Sequence, residues 1–197
     1  MTTTEKFKQK KLLILTGPTC SGKTENSIKI AKEFNLDVIA ADSMQIYKKF
    51  NIGTGKPSKH QREIVRHHLI DLIEPNDSFN AWDYMNLSRD LISKLNNIPL
   101  IAGGTQLYIS SMLNGLSDGV SSNKEVRDQI SMEINSKGSH YVYEQLKKID
   151  IEFANKIKPN DKSRITRAME IYYTKKQKPS VYLKNNPAKA LANIKIK

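Results

Sequence analysis

Residues 11–24 read KLLILTGPTCSGKT, and the fold turns on them. The apolar run from Lys11 to Thr16 is too short for a helix and is closed by Gly17 and Pro18, so it predicts a short buried strand. The next eight residues, Gly17, Pro18, Thr19, Cys20, Ser21, Gly22, Lys23 and Thr24, fit the pattern G-x-x-x-x-G-K-[ST]. From Thr24 to Phe34 the spacing of Ile28, Ile30 and Ala31 predicts a helix, so strand, loop and helix follow in the required order. In such a loop the backbone N–H groups curl around phosphate oxygens at a helix N-terminus, and glycine tolerates the close approach. Lys23 would neutralise phosphate charge, and the Thr24 hydroxyl would bind Mg²⁺.

Working outward, Asp37 to Ala41 predicts a second strand that ends at Asp42. In open α/β sheets ligands collect beyond the carboxyl ends of the strands, so Asp42 should face the phosphate loop. It is the leading catalytic candidate; the alternatives are a carboxylate that caps the turn beside Ser43, or one that holds Mg²⁺ through water. Asn51 to Ser58 (NIGTGKPS) reads as a loop, and His67 to Asp71 as an edge strand or turn. His67 and His68 point to opposite faces of an extended segment, which favours hydrogen bonding over a shared metal ion. Ser78 is the expected N-cap of a helix running to Asn96, with Trp82, Met85, Leu91, Ile92 and Leu95 as its core stripe. Pro99 to Ala102 is a third strand, entering Gly103-Gly104-Thr105 and a helix over Gln106 to Asn114. The glycines again permit close backbone approach, and Thr105 is placed to join a phosphate cradle.

After Gly115 the alternation gives way to helices. Ser122 to Glu125 has the form of a capping box ahead of a Val126, Ile130, Ile134 stripe, and a second helix carries Tyr141, Tyr143 and Leu146. Arg127 there is either a solvated charge or a phosphate contact. Pro159-Asn160-Asp161 opens a further helix, on which Arg164 and Arg167 share a face. At the end, LANIKIK has the form of a strand beginning.

The chain has 197 residues, enough for one domain or one with a small annex. Apolar residues make up 38% and charged residues 26%, as in a folded protein. No apolar run approaches the roughly 18–20 residues of a membrane span, and Leu12 to Leu15 is too short for a signal-peptide core. Cys20 is the sole cysteine, which suits a reducing compartment and offers no multi-cysteine zinc site. Of the formal net charge of +12, a net +10 lies in positions 145–197, which carry 14 basic and 4 acidic side chains. That block suggests an anionic partner such as nucleic acid, or a Lys-rich solvated surface.

Taken in order, GPTCSGKT at 17–24, DSMQIYK at 42–48, GTGKP at 53–57, HHLIDL at 67–72, PLIAGGTQLYI at 99–109 and NDKSRITRAMEIYYTKKQKPS at 160–180 resemble the tRNA dimethylallyltransferases. The resemblance implies an α/β fold: a P-loop NTPase-like parallel sheet flanked by helices, with a small inserted helical subdomain. The expected division is a core over 1–116, a tRNA-contacting helical insertion over 117–150, and a basic return to the core over 151–197. It also implies transfer of a dimethylallyl group from dimethylallyl diphosphate to N6 of the adenosine beside the 3′ end of the anticodon, with Mg²⁺ as cofactor. Asp42 would be the general base, Thr105 would help bind diphosphate and position the substrate, and Gly17 to Thr24 would hold the diphosphate. Asp42, Ser43, Met44, Gln45, Arg127, Ser163, Arg164, Ile165, Thr166 and Arg167 match positions that contact the tRNA anticodon loop. A cytoplasmic monomer is expected, with no membrane association. Related enzymes prenylate free adenine nucleotides, other phosphate-loop enzymes are kinases, and an inactive tRNA-binding module is a third alternative. Members of the family continue for about a further hundred residues, so the chain is expected to lack the C-terminal third.

Overall fold

The computed structural model describes residues 10–117, 123–192 and 194–196. The chain forms two units, one running to Gly115 and resuming at Ala190, the other spanning Leu116–Lys189. The first holds β1 (Lys10–Thr16), α1 (Lys23–Phe34), β2 (Asp37–Ala40), α2 (Lys59–Ile64), β3 (His67–His68), α3 (Ala81–Lys94), β4 (Pro99–Gly103), α4 (Gln106–Asn114) and, after the second unit, β5 (Ile194–Ile196). Its strands lie in the order β3-β2-β4-β1-β5, all parallel. β3 is an edge strand, as its sequence suggests, and the LANIKIK stretch does supply a strand, paired with β1.

The strands are apolar on both faces because helices cover both. Successive side chains on a strand point opposite ways. Leu12, Ile39 and Ile101 accordingly pack with Tyr84, Ile92, Tyr108 and Met112 of α3 and α4, while Val38 and Leu100 pack with Ala31 of α1. This two-sided burial is what a parallel sheet needs. It leaves the β1–α1, β2 and β4–α4 junctions together at the carboxyl edge.

Several local expectations are corrected. The helix over α3 is capped by Asn80, not Ser78: Asn80 Oδ1 accepts from the amides of Trp82 and Asp83, and Asp83 returns a bond to the Asn80 amide. Trp82 is only half-buried and lies outside the packed clusters. Tyr84 is the buried aromatic, stacked on Tyr108 with 4.4 Å between ring centres. The loop over 51–58 leads into α2, which the apolar pattern misses because α2 buries no residue; its signal is the Ser58-x-x-Gln61 capping box.

The second unit contains α5 (Lys124–Lys137), α6 (Ser139–Ile149), α7 (Ile151–Ala154), α8 (Lys162–Lys175) and α9 (Pro179–Asn185). Ile130, Ile134, Val142, Tyr143, Leu146, Ile165, Ala168 and Met169 form its core. Of the three residues the sequence names on α6, Tyr143 and Leu146 are buried and Tyr141 is exposed. Asn123 caps α5; Ser122 of the expected capping box lies outside the described residues. Asp150 accepts from the amides of Phe153 and Ser180, tying the starts of α7 and α9. The expected return to the core at 151 is also corrected. The apolar face of α8 packs on α5 and α6, so the helical unit continues to Lys189 and the chain rejoins the sheet unit from Ala190.

Candidate active site

The first unit carries a cleft at the carboxyl edge of the sheet, lined by Lys23, Thr24, Ser27, Asp42, Gln45, Pro57, His67 and Gly103 among others. The sequence predicts that Asp42 faces the phosphate loop, and both border this cleft. α1 starts at Lys23 with Gly22 as its N-cap at φ 75°, a left-handed conformation that favours glycine. No side chain caps this terminus, so its first N–H groups are left to an incoming acceptor. Lys23 Nζ donates to Pro18 O and, at 3.4 Å, to Ser21 Oγ, so the loop holds its cation close. Pro18, Thr19, Cys20 and Ser21 are exposed.

β4 approaches β2 as closely as backbone permits. A Cβ on Gly103 would sit 2.1 Å from the Ala41 carbonyl oxygen, so no other residue fits. The same carbonyl accepts from the Thr105 amide at 3.0 Å, and Thr105 Oγ1 accepts from the Ser43 amide at 3.0 Å. Thr105 is thus fastened to the Asp42 turn and is absent from the cleft lining. Asp42 Oδ1 accepts from the amides of Met44 at 2.8 Å and Gln45 at 3.2 Å. The turn-capping alternative therefore describes one oxygen, while Oδ2 has no hydrogen-bond partner among the described residues. A carboxylate held this way can cap its own turn and take a proton in the cleft.

The wall opposite is the 54–57 segment. Gly55 O accepts from Thr24 Oγ1 at 3.3 Å, and Thr54 O accepts from Gln45 Nε2 at 3.2 Å. Lys56 anchors it: its side chain is 3% exposed and donates to Tyr47 O, Asn51 Oδ1 and Asp71 Oδ1. Arg62 donates to the other Asp71 oxygen at 2.7 Å. Burial opposes ionisation of Asp71, but the hydrogen bonds from Lys56 and Arg62 outweigh it and hold its pKa below the usual carboxylate range. The sequence singles out neither Lys56 nor Arg62.

His67 and His68 turn to separate partners, as hydrogen-bonding residues do. His67 Nδ1 is 2.7 Å from Val65 O, and His68 Nε2 is 2.7 Å from Asp37 Oδ2. Burial lowers the pKa of His67, which therefore borders the cleft as a neutral ring.

The second unit presents the other candidate group. Glu170 is fully buried and accepts four hydrogen bonds: Oε1 from the Asn123 amide at 3.0 Å and Arg127 Nε at 2.8 Å, Oε2 from Arg127 Nη2 at 3.0 Å and Arg167 Nη1 at 2.7 Å. Burial alone would raise its pKa, but these donors override that and lower it. Arg127 and Arg167 are thus neither merely solvated nor isolated. Arg164 is exposed and bonds Asp161, which caps α8; Ser163 is exposed and Thr166 half-buried. Ile165 is corrected: its side chain is wholly buried in the helical core and does not reach an RNA.

Among the described residues no three His, Cys, Asp or Glu side chains converge as a metal site, and no helix is long and apolar enough to cross a membrane. Comparison with known proteins gives one family. The model described as IPP transferase matches residues 45–196. The tRNA dimethylallyltransferase of Alkaliphilus oremlandii is 42% identical over 168 residues, covering 83% of this chain and 54% of the relative. That of a Hydrogenobaculum species is 43% identical over 163 residues, covering 81% and 55%. Among solved structures, a eukaryotic dimethylallyltransferase acting on tRNA superposes with a TM-score of 0.77 at 28% identity, over 95% of this chain and 47% of that one. The full-length tRNA isopentenylpyrophosphate transferase of Bacillus halodurans gives 0.54 at 36% identity, over 84% and 56%. The chain spans about half the length of the curated relatives it matches. With the family model covering most of its length and phosphate-loop, parallel-sheet architecture beneath it, the chain belongs to the IPP transferase family.

Proposed function

We propose that this chain transfers a dimethylallyl group from dimethylallyl diphosphate to N6 of the adenosine 3′-adjacent to the tRNA anticodon, as a cytoplasmic monomer. The observation that carries the proposal is the presence of Asp42, Lys23 and Thr24 on one cleft, with no hydrogen-bond partner for Asp42 Oδ2 among the described residues. An adenine amino group is a poor nucleophile because its lone pair is delocalised. Asp42 Oδ2 takes its proton as the new N–C bond forms and the allylic C–O bond breaks. The electron pair of that bond leaves on diphosphate, where the N–H groups of Gly17 to Thr24 and the Lys23 ammonium stabilise it. Phosphate oxygens replace Pro18 O and Ser21 Oγ as the acceptors of Lys23. The target adenine must leave its stack to reach the cleft.

Mg²⁺ fits this donor set. The Thr24 hydroxyl is a hard oxygen on the cleft, and Mg²⁺ held there would complete its shell with water and diphosphate oxygens without needing a protein cage. When bound it supplies charge neutralisation to the diphosphate. On the RNA side, Ser43, Met44 and Gln45 beside the base, and Arg127, Ser163, Arg164, Thr166 and Arg167 on the helical unit, are the proposed contacts.

The test is incubation of the chain with labelled dimethylallyl diphosphate, Mg²⁺ and unmodified tRNA. Label should enter the RNA, and Asp42→Asn should slow transfer by about 10²–10⁴-fold while dimethylallyl diphosphate still binds. Label that stays out of RNA at high protein concentration sinks the activity. Free adenine nucleotides in place of tRNA decide the acceptor.

A further inference from the structure

We infer that Glu170 is a positioning residue for RNA recognition: from inside the helical unit it sets the guanidinium of Arg127 so that its outer edge is presented to an RNA phosphate. The inference rests on the tRNA reading above.

Its basis is the division of labour within Arg127. Nε and Nη2 occupy the two oxygens of Glu170, at 2.8 and 3.0 Å, while Nη1 has no partner among the described residues and the side chain is 44% exposed. One edge of the fork is therefore fixed on Glu170, and the other is left open on a partly exposed side chain. A guanidinium held by two parallel bonds has little rotamer freedom left to lose on meeting phosphate, which is where a long cationic side chain otherwise loses affinity. Arg167 and the Asn123 amide complete the shell of Glu170 and keep it ionised. Two cations against one buried carboxylate leave a net positive charge at this point of the unit.

Stability is a weak explanation for the group. Burying a carboxylate and parts of two guanidiniums costs desolvation that the ion pairs seldom exceed, and apolar residues would pack the same volume as well. Simple electrostatics also makes the opposite prediction. Removing the Glu170 charge makes the surface more positive, so a purely electrostatic RNA surface would bind more tightly without it. A positioning role requires weaker binding.

The experiment uses the full chain with labelled unmodified tRNA, and affinity is read between about 50 and 200 mM salt. Glu170→Gln should bind about tenfold more weakly, the loss of one charge-assisted hydrogen bond. Its plot of log affinity against log salt should be shallower by about 0.7–0.9, the share of one phosphate contact. Arg127→Lys should lose a similar amount, and the double variant no more than either single one. Affinity and slope at or above wild type in Glu170→Gln overturn the proposal. Should Glu170→Gln fail to fold, Arg127→Lys decides alone, since it leaves Arg167 on Glu170. A lysine lacks the rigid planar fork that holds both carboxylate oxygens along one edge and fixes a donor on the other, so wild-type affinity and slope in that variant also overturn the role. A wild-type chain that binds no tRNA removes the RNA reading and this inference together. Wild-type binding with an indifferent Glu170→Gln removes the positioning role only.

Discussion

The two units make positive character by different means. In the sheet unit it comes largely from backbone: the N–H groups at the start of α1, delivered by left-handed Gly22 and by strands brought close at Gly103, with Lys23 as the single cationic side chain on the cleft lining. In the helical unit it comes from side chains, two arginines braced on one buried carboxylate. A backbone device depends on the absence of a Cβ, whereas a side-chain device depends on the presence of a counter-ion. The two should therefore fail under different substitutions, and this can be used to separate them.

The largest expected effect is at Gly103. An added methyl would lie 2.1 Å from the Ala41 carbonyl oxygen and 2.4 Å from its carbon, and these are backbone atoms that cannot rotate away. Gly103→Ala must push β4 from β2, at a cost of about 3 kcal/mol or more. Trp82 is the only tryptophan and lies on α3 of the same unit, so its fluorescence in a urea titration reads the loss. A wild-type midpoint would show that the close approach of the two strands is not required.

This contrast also explains what could be read without the structure. GPTCSGKT and GGT are contiguous because a backbone cradle is built from one stretch of chain, so both units of meaning survive in the sequence. The knot at Glu170 joins residues 43 apart, and neither segment announces the other. Its single local trace is that Glu170 is the only acid after Asp161 in a strongly basic stretch. The spacing shows Arg167 sharing a helical face with Arg164, but not that it meets Arg127 on Glu170, while Arg164 pairs with Asp161. Helix ends show the same limit at short range. Ser78 and Asn80 are both acceptable caps, and the choice between them falls on Asp83, which returns a bond only to Asn80. An apolar face at helical spacing does not say which core it joins, so the sequence places a return to the core at 151 where the helical unit continues to Lys189.

Two carboxylates each hold two cations: Glu170, fully buried, and Asp71, whose side chain is 29% exposed. Both have folded pKa values below their ordinary ones. Each therefore contributes stability that is complete above its unfolded pKa, about 4.3 for Glu and 3.9 for Asp, and that is lost as pH falls through the lower folded value. Glu170→Gln and Asp71→Asn should each cost urea stability at pH 7, about 3 kcal/mol for Glu170 and nearer 1 kcal/mol for the more solvent-screened Asp71. As pH falls below the unfolded values and on through the lower folded ones, the gap between the wild type and each variant should close, because a protonated carboxyl resembles the amide. Equal costs at neutral pH would show that burial does not separate the two knots.

The smallest effect is expected at Thr105, where a side chain assists the backbone cleft. Thr105→Val keeps the shape and keeps the Thr105 amide bond to Ala41 O, but leaves the half-buried Ser43 amide without its acceptor. Urea unfolding should show a loss of about 1 kcal/mol, since water can partly replace the missing oxygen. Function then distinguishes two roles for the same hydroxyl. Thr105 lies off the cleft lining and is fastened to the turn that carries Asp42. If it acts through that turn, then under the proposed function dimethylallyl diphosphate should bind Thr105→Val and wild type alike while transfer to tRNA slows by about tenfold, a positioning loss. If instead the hydroxyl contacts the diphosphate, affinity for dimethylallyl diphosphate should fall in step with the rate. The first outcome would extend to the sheet unit the principle inferred for Glu170, that the residue which holds the acting group is distinct from the group that acts.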